Sequence, residues 1–448
     1  MHPALTYALK KGASYAELRS IDVKRINIET QDKLVKELSS NESEMFAVRV
    51  LANGGEGIAF STKNTYQEMI DKALIAAKNF TKSLEFSNLD QLRKKIKTHY
   101  KTDPSTISLE EKKKLLQHLD QRKEFKKIHS CRLFYTEVTK KSIFENTEGR
   151  ELSWDDLVVG FVVQAFAKEG KTTENFYDVK KAHCGFEIMN NANSFVHETM
   201  KMAESLLKAK HIKGGNYPVI IDQKLGGVFA HEAVGHSCEA DIVLQGSSLL
   251  KDKLQKKIAT TKLTLIDDGT KEGFYGWVPI DDEGVEGQKT VLIEKGVLKN
   301  FLHSRETATR MNMLPTGNGR SEGLGAPAIP RMRCTFIEEG DSNIDEMLQE
   351  MKNGYYLKGT AGGQVNTTNG EFLFNAQYGY TISKGEKKEM IKGVSLQGSI
   401  LEILPAIELI AKDLSFSQGT CGKSGQGVPV SDGAPHLLLK KIRVGGQK

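Results

Sequence analysis

One histidine spacing restricts this chain more than any other feature. His231 and His236 stand five residues apart in Phe229-Ala-His-Glu-Ala-Val-Gly-His-Ser-Cys-Glu-Ala-Asp241, with Glu232 directly after the first. Two imidazoles and a carboxylate at short spacing are what a catalytic zinc site asks of a chain. In the familiar zinc-peptidase helix the two histidines are four apart and lie within about 40° of one another around the axis. Five apart, they diverge by about 140° on a regular α-helix and cannot share one ion. The stretch suits a common metal only if the backbone leaves α geometry. Gly235, just before the second histidine, can host a π-bulge or a helix end. The spacing therefore predicts a distortion over Val234–His236.

The neighbours of the motif argue against two surface histidines. Gly226-Gly-Val-Phe-Ala230 and Ala233-Val-Gly235 are small and apolar, so the helix carrying them reads as buried. Buried ionisable groups need partners or a metal. Glu232 is placed to take a proton from an attacking water. A catalytic metal also needs a third protein ligand. The residues leave that ligand open among Cys238, Cys421, His303, His183, His436, Glu239 and Asp241. Cys238 and Cys334 read as small core residues. Cys421 stands in the glycine-rich Gln418–Gly427, where a thiol is harder to explain by packing.

Around the motif the chain divides into two units. Its 448 residues exceed one ordinary core. Lys210-His-Ile-Lys-Gly-Gly-Asn-Tyr-Pro218 is the clearest boundary. The expected fold class is α+β. Residues 1–212 form an N-terminal α+β domain, and 213–448 a β-rich mixed domain carrying the metal-site helix. In the first unit a short helix over Pro3–Leu18 precedes alternating segments at Ile21–Glu29, Met45–Leu51 and Gly57–Ser61. The last two are joined across Ala52-Asn-Gly-Gly-Glu56, a strong hairpin signal. Asn64 can cap a helix reaching Asn79. The lysine-dense stretch Asp90–Lys127 reads as a solvated face with a helix near Ser108–Leu119. Strands, a hairpin over Leu157–Lys180 and a helix from Asn193 or Ser194 to Lys210 then repeat the first pattern, suggesting an internal duplication. In the second unit a strand over Val219–Asp222 leads into the motif helix, Lys224–Ala240. Short strands follow at Leu263–Asp267, Val291–Glu294, Met332–Ile337 and Tyr378–Ile382, with helices at Asn343–Gly354 and Ile400–Ser415.

Composition excludes several classes of function. A net charge of +6, from 63 basic and 57 acidic residues, is no nucleic-acid footprint at this length. The lysines of Asp90–Lys127 lack interleaved aromatics, which also argues against nucleic acid. Five cysteines without a CxxC pair fit a reducing compartment better than a disulfide framework. No run approaches the ~18 apolar residues of a membrane span, and the first residues lack a signal peptide's apolar core. The cytoplasm is the expected location.

Five segments in order resemble the TldD/PmbA metallopeptidases: HEAVGHSCEAD (231–241), DDEG (281–284), PTGNGR (315–320), GGQV (362–365) and GTCGKSGQ (419–426). The likeness is to the TldD branch, which keeps the metal motif; the sister branch generally lacks it. The resemblance implies Zn2+ held by His231, His236 and Cys421, with Glu232 as the catalytic carboxylate. It implies cleavage of unstructured peptides or unfolded polypeptides lying extended along a sheet edge. It also implies a homodimer, or a heterodimer with a sister subunit. Arg320 or backbone amides near Asn318 are candidates for steadying the substrate carbonyl, with a plain turn as the alternative. Asp281-Asp-Glu-Gly284 is a candidate for orienting a liganding histidine, or a turn. Gly362 and Gly363 suit close backbone approach by substrate. The competing reading is a non-catalytic regulatory or scaffold protein with a structural zinc; a closed four-ligand site would favour it.

Overall fold

The computed structural model describes residues 1–79 and 84–446. Among the described residues, four α-helices and seven strands precede residue 207. They are α1 (Pro3–Lys10), β1 (Tyr15–Gln31), β2 (Leu34–Ala52), β3 (Gly55–Ser61), α2 (Tyr66–Lys78), β4 (Leu92–Lys97), α3 (Leu109–Leu119), β5 (Ile128–Asn146), β6 (Arg150–Glu169), β7 (Thr172–Ala182) and α4 (Ala192–Leu206). The strands make one sheet in the order β3-β2-β1-β5-β6-β4, with β7 also on β6. The hairpin at Asn53–Gly54 forms as expected, both residues having positive φ. Thr65, rather than Asn64, precedes α2. Ser108 caps α3 in a reciprocal capping box with Glu111.

Two apolar cores lie under this sheet. One joins α1 and α2 to β1 and β2 through Leu5, Ile70 and Val48. The other joins α3 and α4 to β5 and β6 through Leu116, Val196 and Phe161. The second core also takes in Ile26 and Ile28 of β1, so the two halves share a strand rather than packing independently. The lysine-rich stretch holds a further strand that stays largely exposed, and one of its lysines departs from the expected solvated character. Leu92–Lys97 is a strand paired parallel to β6. Lys112 is buried, its ammonium 2.6 Å from Glu137.

From Gly215 onward two further sheets enclose the motif. A nine-stranded sheet runs from edge strand Gly363–Val365 through Glu371–Ala376, Val394–Ser399 and Leu437–Gly445 to β8 (Gly215–Ile221) and beyond. A six-stranded sheet ends in Cys334–Ile337, Gln426–Ala434 and Ser415–Lys423. Between them lies α5 (Gln223–Phe229), whose Leu225 and Phe229 share one core with Val219, Phe374, Val430 and Leu437. The motif helix is therefore the filling of a sandwich, which explains its small residues. The expected helix over Ile400–Ser415 stops at Ala406, just past Pro405, and Ile407–Ile410 is a strand.

Ion pairs join the N-terminal sheet to the rest: Arg19 with Asp282, Arg49 with Glu283 at 3.1 Å, and Arg305 with Glu148 at 2.6 Å. Among the described residues no helix is long and apolar enough to cross a membrane.

Candidate metal centre

Asp222 starts the motif helix, its carboxylate accepting from the Leu225 amide at 3.0 Å. After α5 the backbone widens into a π-helical turn over Ala230–Gly235, tightens to a 3-10 turn over His236–Cys238, and extends at Glu239. The distortion begins four residues earlier than expected and covers the whole interval between the histidines. A π-turn places i and i+5 on one face, so the rings meet with centroids 5.0 Å apart and nearly perpendicular planes. Gly235 itself keeps right-handed helical dihedrals. Its need for glycine is steric, because a Cβ there would collide with the Met332 sulfur. Gly227 likewise lets α5 approach the strand Gln426–Ala434, where a Cβ would come within 2.8 Å of the Asp432 carbonyl.

Cys421 arrives from the far side. Its glycine-rich segment is a β-hairpin: Ser415–Lys423 pairs with Gln426–Ala434, Cys421 opposite Val428. Ser424 and Gly425, both with positive φ, form the two-residue turn. The Cys421 sulfur lies 3.5 Å from His236 Nε2. The ligand atoms of His231, His236 and Cys421 all lie within 4.8 Å of one another. Arg331 donates to the Cys421 carbonyl at 2.6 Å and steadies the hairpin backbone.

The outer nitrogens of both rings are engaged. His231 Nδ1 lies 2.7 Å from Asp432 Oδ1, and His236 Nδ1 lies 2.9 Å from Glu239 Oε2. A carboxylate on Nδ1 fixes the tautomer and leaves Nε2 as a lone-pair donor. Burial opposes charge on His231, yet Asp432 and Cys421 hold its pKa well above the ordinary value. Burial likewise opposes charge on His236, and Glu239 with Cys421 brings it to about 10. Burial raises the Cys421 thiol, but His231 and His236 outweigh this and hold it at about 5. Protons thus gather where a cation would compensate the same thiolate and carboxylates, and metal binding would release them. Two imidazoles and a thiolate suit zinc, with bonds of about 2.0–2.3 Å. The residues fit the ion.

Glu232 lies beside the cluster, its Oε2 3.9 Å from His236 Nε2. Burial raises its pKa. It lines a cleft of about 450 Å³ together with His236, Ile242, Gly363, Thr420 and Lys423. Across that cleft runs Gly363–Val365, the terminal strand of the nine-stranded sheet. Gly362 adjoins it and already accepts from the Asn375 amide at 3.0 Å.

Other candidates lie elsewhere. Asn318 is fully buried and donates to Asp267 at 2.8 Å and to the Arg331 carbonyl at 2.9 Å. Arg320 is buried against the carbonyls of Met332 and Pro429. Both side chains are consumed by the interior, so neither is presented to a substrate. Asp281-Asp-Glu-Gly284 does not support a histidine: Asp282 and Glu283 pair with Arg19 and Arg49 at the contact with β1 and β2. His303, its pKa lowered to about 4 by burial, sits near Thr307. His183 packs on Trp277, His436 bonds Tyr356 and Asp413, and Cys238 is buried outside the cluster. Sequence reasoning missed Asp432, which stands in an unremarkable Ser-Asp-Gly turn composition with no spacing cue to the motif.

Family models match three segments: PmbA/TldA metallopeptidase domain 1 over residues 16–77, the central domain over 102–208 and the C-terminal domain over 214–446. A metalloprotease of Methanocaldococcus jannaschii is 41% identical over 429 residues, 94% of each chain. A zinc metalloprotease TldD homolog of Saccharolobus solfataricus is 32% identical over 445 residues, 97% of each chain. The crystal structure of TldE from Thermococcus kodakarensis covers 99% of both chains with a TM-score of 0.79 at 18% identity, a likeness of fold alone.

Proposed function

The chain belongs to the PmbA/TldD metallopeptidase family, and from that premise we propose that it is a zinc-dependent peptidase acting on unstructured peptides or unfolded polypeptides. The observation that carries this reading is the convergence of His231, His236 and Cys421 beside Glu232 in a cleft. In it, His231, His236 and Cys421 hold the metal. Zinc, when bound, supplies the Lewis acidity that makes water nucleophilic near neutral pH. Glu232 takes the proton of the attacking water and passes it to the leaving amine. Its burial-raised pKa brings it closer to the range in which a carboxylate serves as base and then acid. Asp432 and Glu239 keep the imidazole lone pairs aimed inward.

The edge strand Gly363–Val365 supports an extended substrate adding to the sheet beside Glu232. Strand addition reads backbone and so gives broad sequence tolerance. The same strand borders a larger groove of about 1380 Å³ through Gln364 and Val365, a path for the rest of the peptide. In this reading residues 213–448 carry the catalytic apparatus, and 1–212 form a separate unit braced against it. Assembly as a homodimer, or a heterodimer with a sister subunit, is part of the same proposal, and light scattering of the purified chain tests it. The unpaired state of all five cysteines supports a cytoplasmic location.

The deciding experiment incubates the zinc-loaded protein with an unfolded polypeptide and compares it with Glu232→Ala. Cleavage by the wild type and its loss in the variant is the expected result. Equal cleavage by both, or none by either, overturns the assignment. Cys421→Ser is expected to reduce zinc content; unchanged occupancy removes Cys421 from the ligand set. The scaffold reading gains no support from the geometry, since the described His, Cys, Asp and Glu side chains supply three clustered donors and a cleft rather than a closed fourth position.

A further inference from the structure

Lys423 ends the strand that carries Cys421, two residues further along, so both side chains leave the same face of the strand. Cys421 meets His236, and Lys423 meets the segment just beyond it. Its ammonium lies 3.1 Å from Glu239 Oε2, 2.7 Å from Asp241 Oδ1 and 2.9 Å from the Pro330 carbonyl. The side chain is only 9% exposed although it lines the cleft. The ammonium hydrogen-bonds Asp241 and the Pro330 carbonyl and ion-pairs with Glu239, so its charge is already compensated within the protein. Lys423 is not placed as an oxyanion group.

Glu239 is fully buried, and the same Oε2 that faces Lys423 also faces His236 Nδ1. Its other oxygen, Oε1, has no hydrogen-bond partner. A buried carboxylate with one unbonded oxygen depends on its remaining cationic neighbours to stay in place and ionised. Two strand residues thus reach His236 by different routes: Cys421 to Nε2 directly, and Lys423 to Nδ1 through Glu239.

We propose that Lys423 is a positioning residue for the metal centre, holding Glu239 against His236 Nδ1 and locking the Cys421 hairpin to the motif segment. The proposal rests on the metal-centre reading above and adds to it a residue that touches neither metal nor substrate. Removal of a group that orients a metal ligand typically lowers metal affinity by about 10–100-fold. Lys423→Met should weaken metal binding by that amount. Lys423→Arg, which keeps the charge and several donors, should recover most of it.

The test is a double-mutant cycle on full-length apo-protein titrated with Co2+, read by thiolate-to-cobalt charge-transfer absorption and by affinity. The proteins are wild type, Lys423→Met, Glu239→Gln and the double variant, with Lys423→Arg as the rescue. If Lys423 acts through Glu239, its loss costs about 10–100-fold in the wild-type background and under about 3-fold in the Glu239→Gln background. An affinity for Lys423→Met within about 2-fold of wild type overturns the proposal. Equal losses in both backgrounds also overturn it, because a merely structural lysine would give additive effects. Failure of the wild type to show the thiolate band instead strikes the metal-centre reading, so the two failures are distinguishable. Should Lys423→Met fail to fold by circular dichroism, Lys423→Gln, which keeps a donor for Pro330, takes its place in the same cycle.

Discussion

Asp267 and His231 are both buried polar residues of the C-terminal sandwich, and their partners set them to opposite uses. Asp267 Oδ1 accepts from the Arg333 amide and the Thr335 hydroxyl, each at 2.8 Å. Its Oδ2 accepts from Arg333 Nε at 2.9 Å and from Asn318 at 2.8 Å. Every lone-pair direction has a donor, and Asp267 and Arg333 are fully buried. Around His231 the protein supplies acceptors only to the outer ring nitrogens, while inner nitrogens and the Cys421 sulfur face one another. One cluster is closed and can only hold strands together. The other is left open toward a cleft, as chemistry requires. Buried polarity alone does not mark a functional site; the unfinished side of the network does.

The sharpest way to separate the two clusters is to remove one group from each. Glu232→Gln should lower kcat by about 10²–10⁴-fold, with metal content and melting temperature near wild type, measured by peptide cleavage, elemental analysis and calorimetry. Asp267→Asn should do the reverse. It leaves Arg333 without its charge partner and should cost about 3–5 kcal/mol of stability, read by denaturant unfolding of the zinc-loaded protein.

The same aspartate gives the pH dependence its sign. Burial raises the Asp267 pKa, but Arg333 and the surrounding donors outweigh this and hold it below its ordinary 3.8. Its stabilisation is therefore present above about pH 4 and lost as pH falls through the lower folded value. Acid unfolding of Asp267→Asn should show a shallower pH dependence below pH ~4 than wild type; parallel curves would contradict the ionised closed network.

Two smaller effects sharpen the contrast. Asp432→Asn should weaken metal binding by about 10–100-fold and also lower the apo-protein's melting temperature, because it removes the partner that holds buried His231 charged. Ser108→Ala, at the cap of α3, should cost about 0.5–2 kcal/mol with no change in metal affinity. A metal effect at Ser108 would mean that the N-terminal unit is coupled to the site more tightly than its contacts suggest.

How legible these regions were in the sequence follows from how local their physics is. Asn53–Gly54 announces its hairpin because a two-residue turn needs positive φ at both positions. The capping box at Ser108 and Glu111 is equally local. The outer half of β2, Leu34 to Glu44, was not legible: it is an exposed strand whose few apolar residues, Leu34, Val35 and Leu38, do not alternate with polar ones. Leu92–Lys97 was hidden in the same way, as a lysine-rich strand lying beside β6. Lys112 was hidden by its class, since a lysine in a charged run gives no sign that Glu137 waits across the core.

The five-residue spacing by itself determined that the backbone must leave α geometry between His231 and His236, because about 100° per residue keeps the two rings apart on a regular helix. It also determined the chemical kind of the site, a pair of imidazoles with a carboxylate at hand. Only the tertiary structure decided which atoms complete and support it. Cys421, Asp432 and Lys423 lie almost two hundred residues downstream. They reach the motif because the hairpin that carries them is the outer edge of the sheet packed on α5. Spacing along a chain encodes angles around a helix axis. It does not encode which strand of a sheet will lie across from that helix, which the burial of apolar side chains on both faces of the sandwich decides.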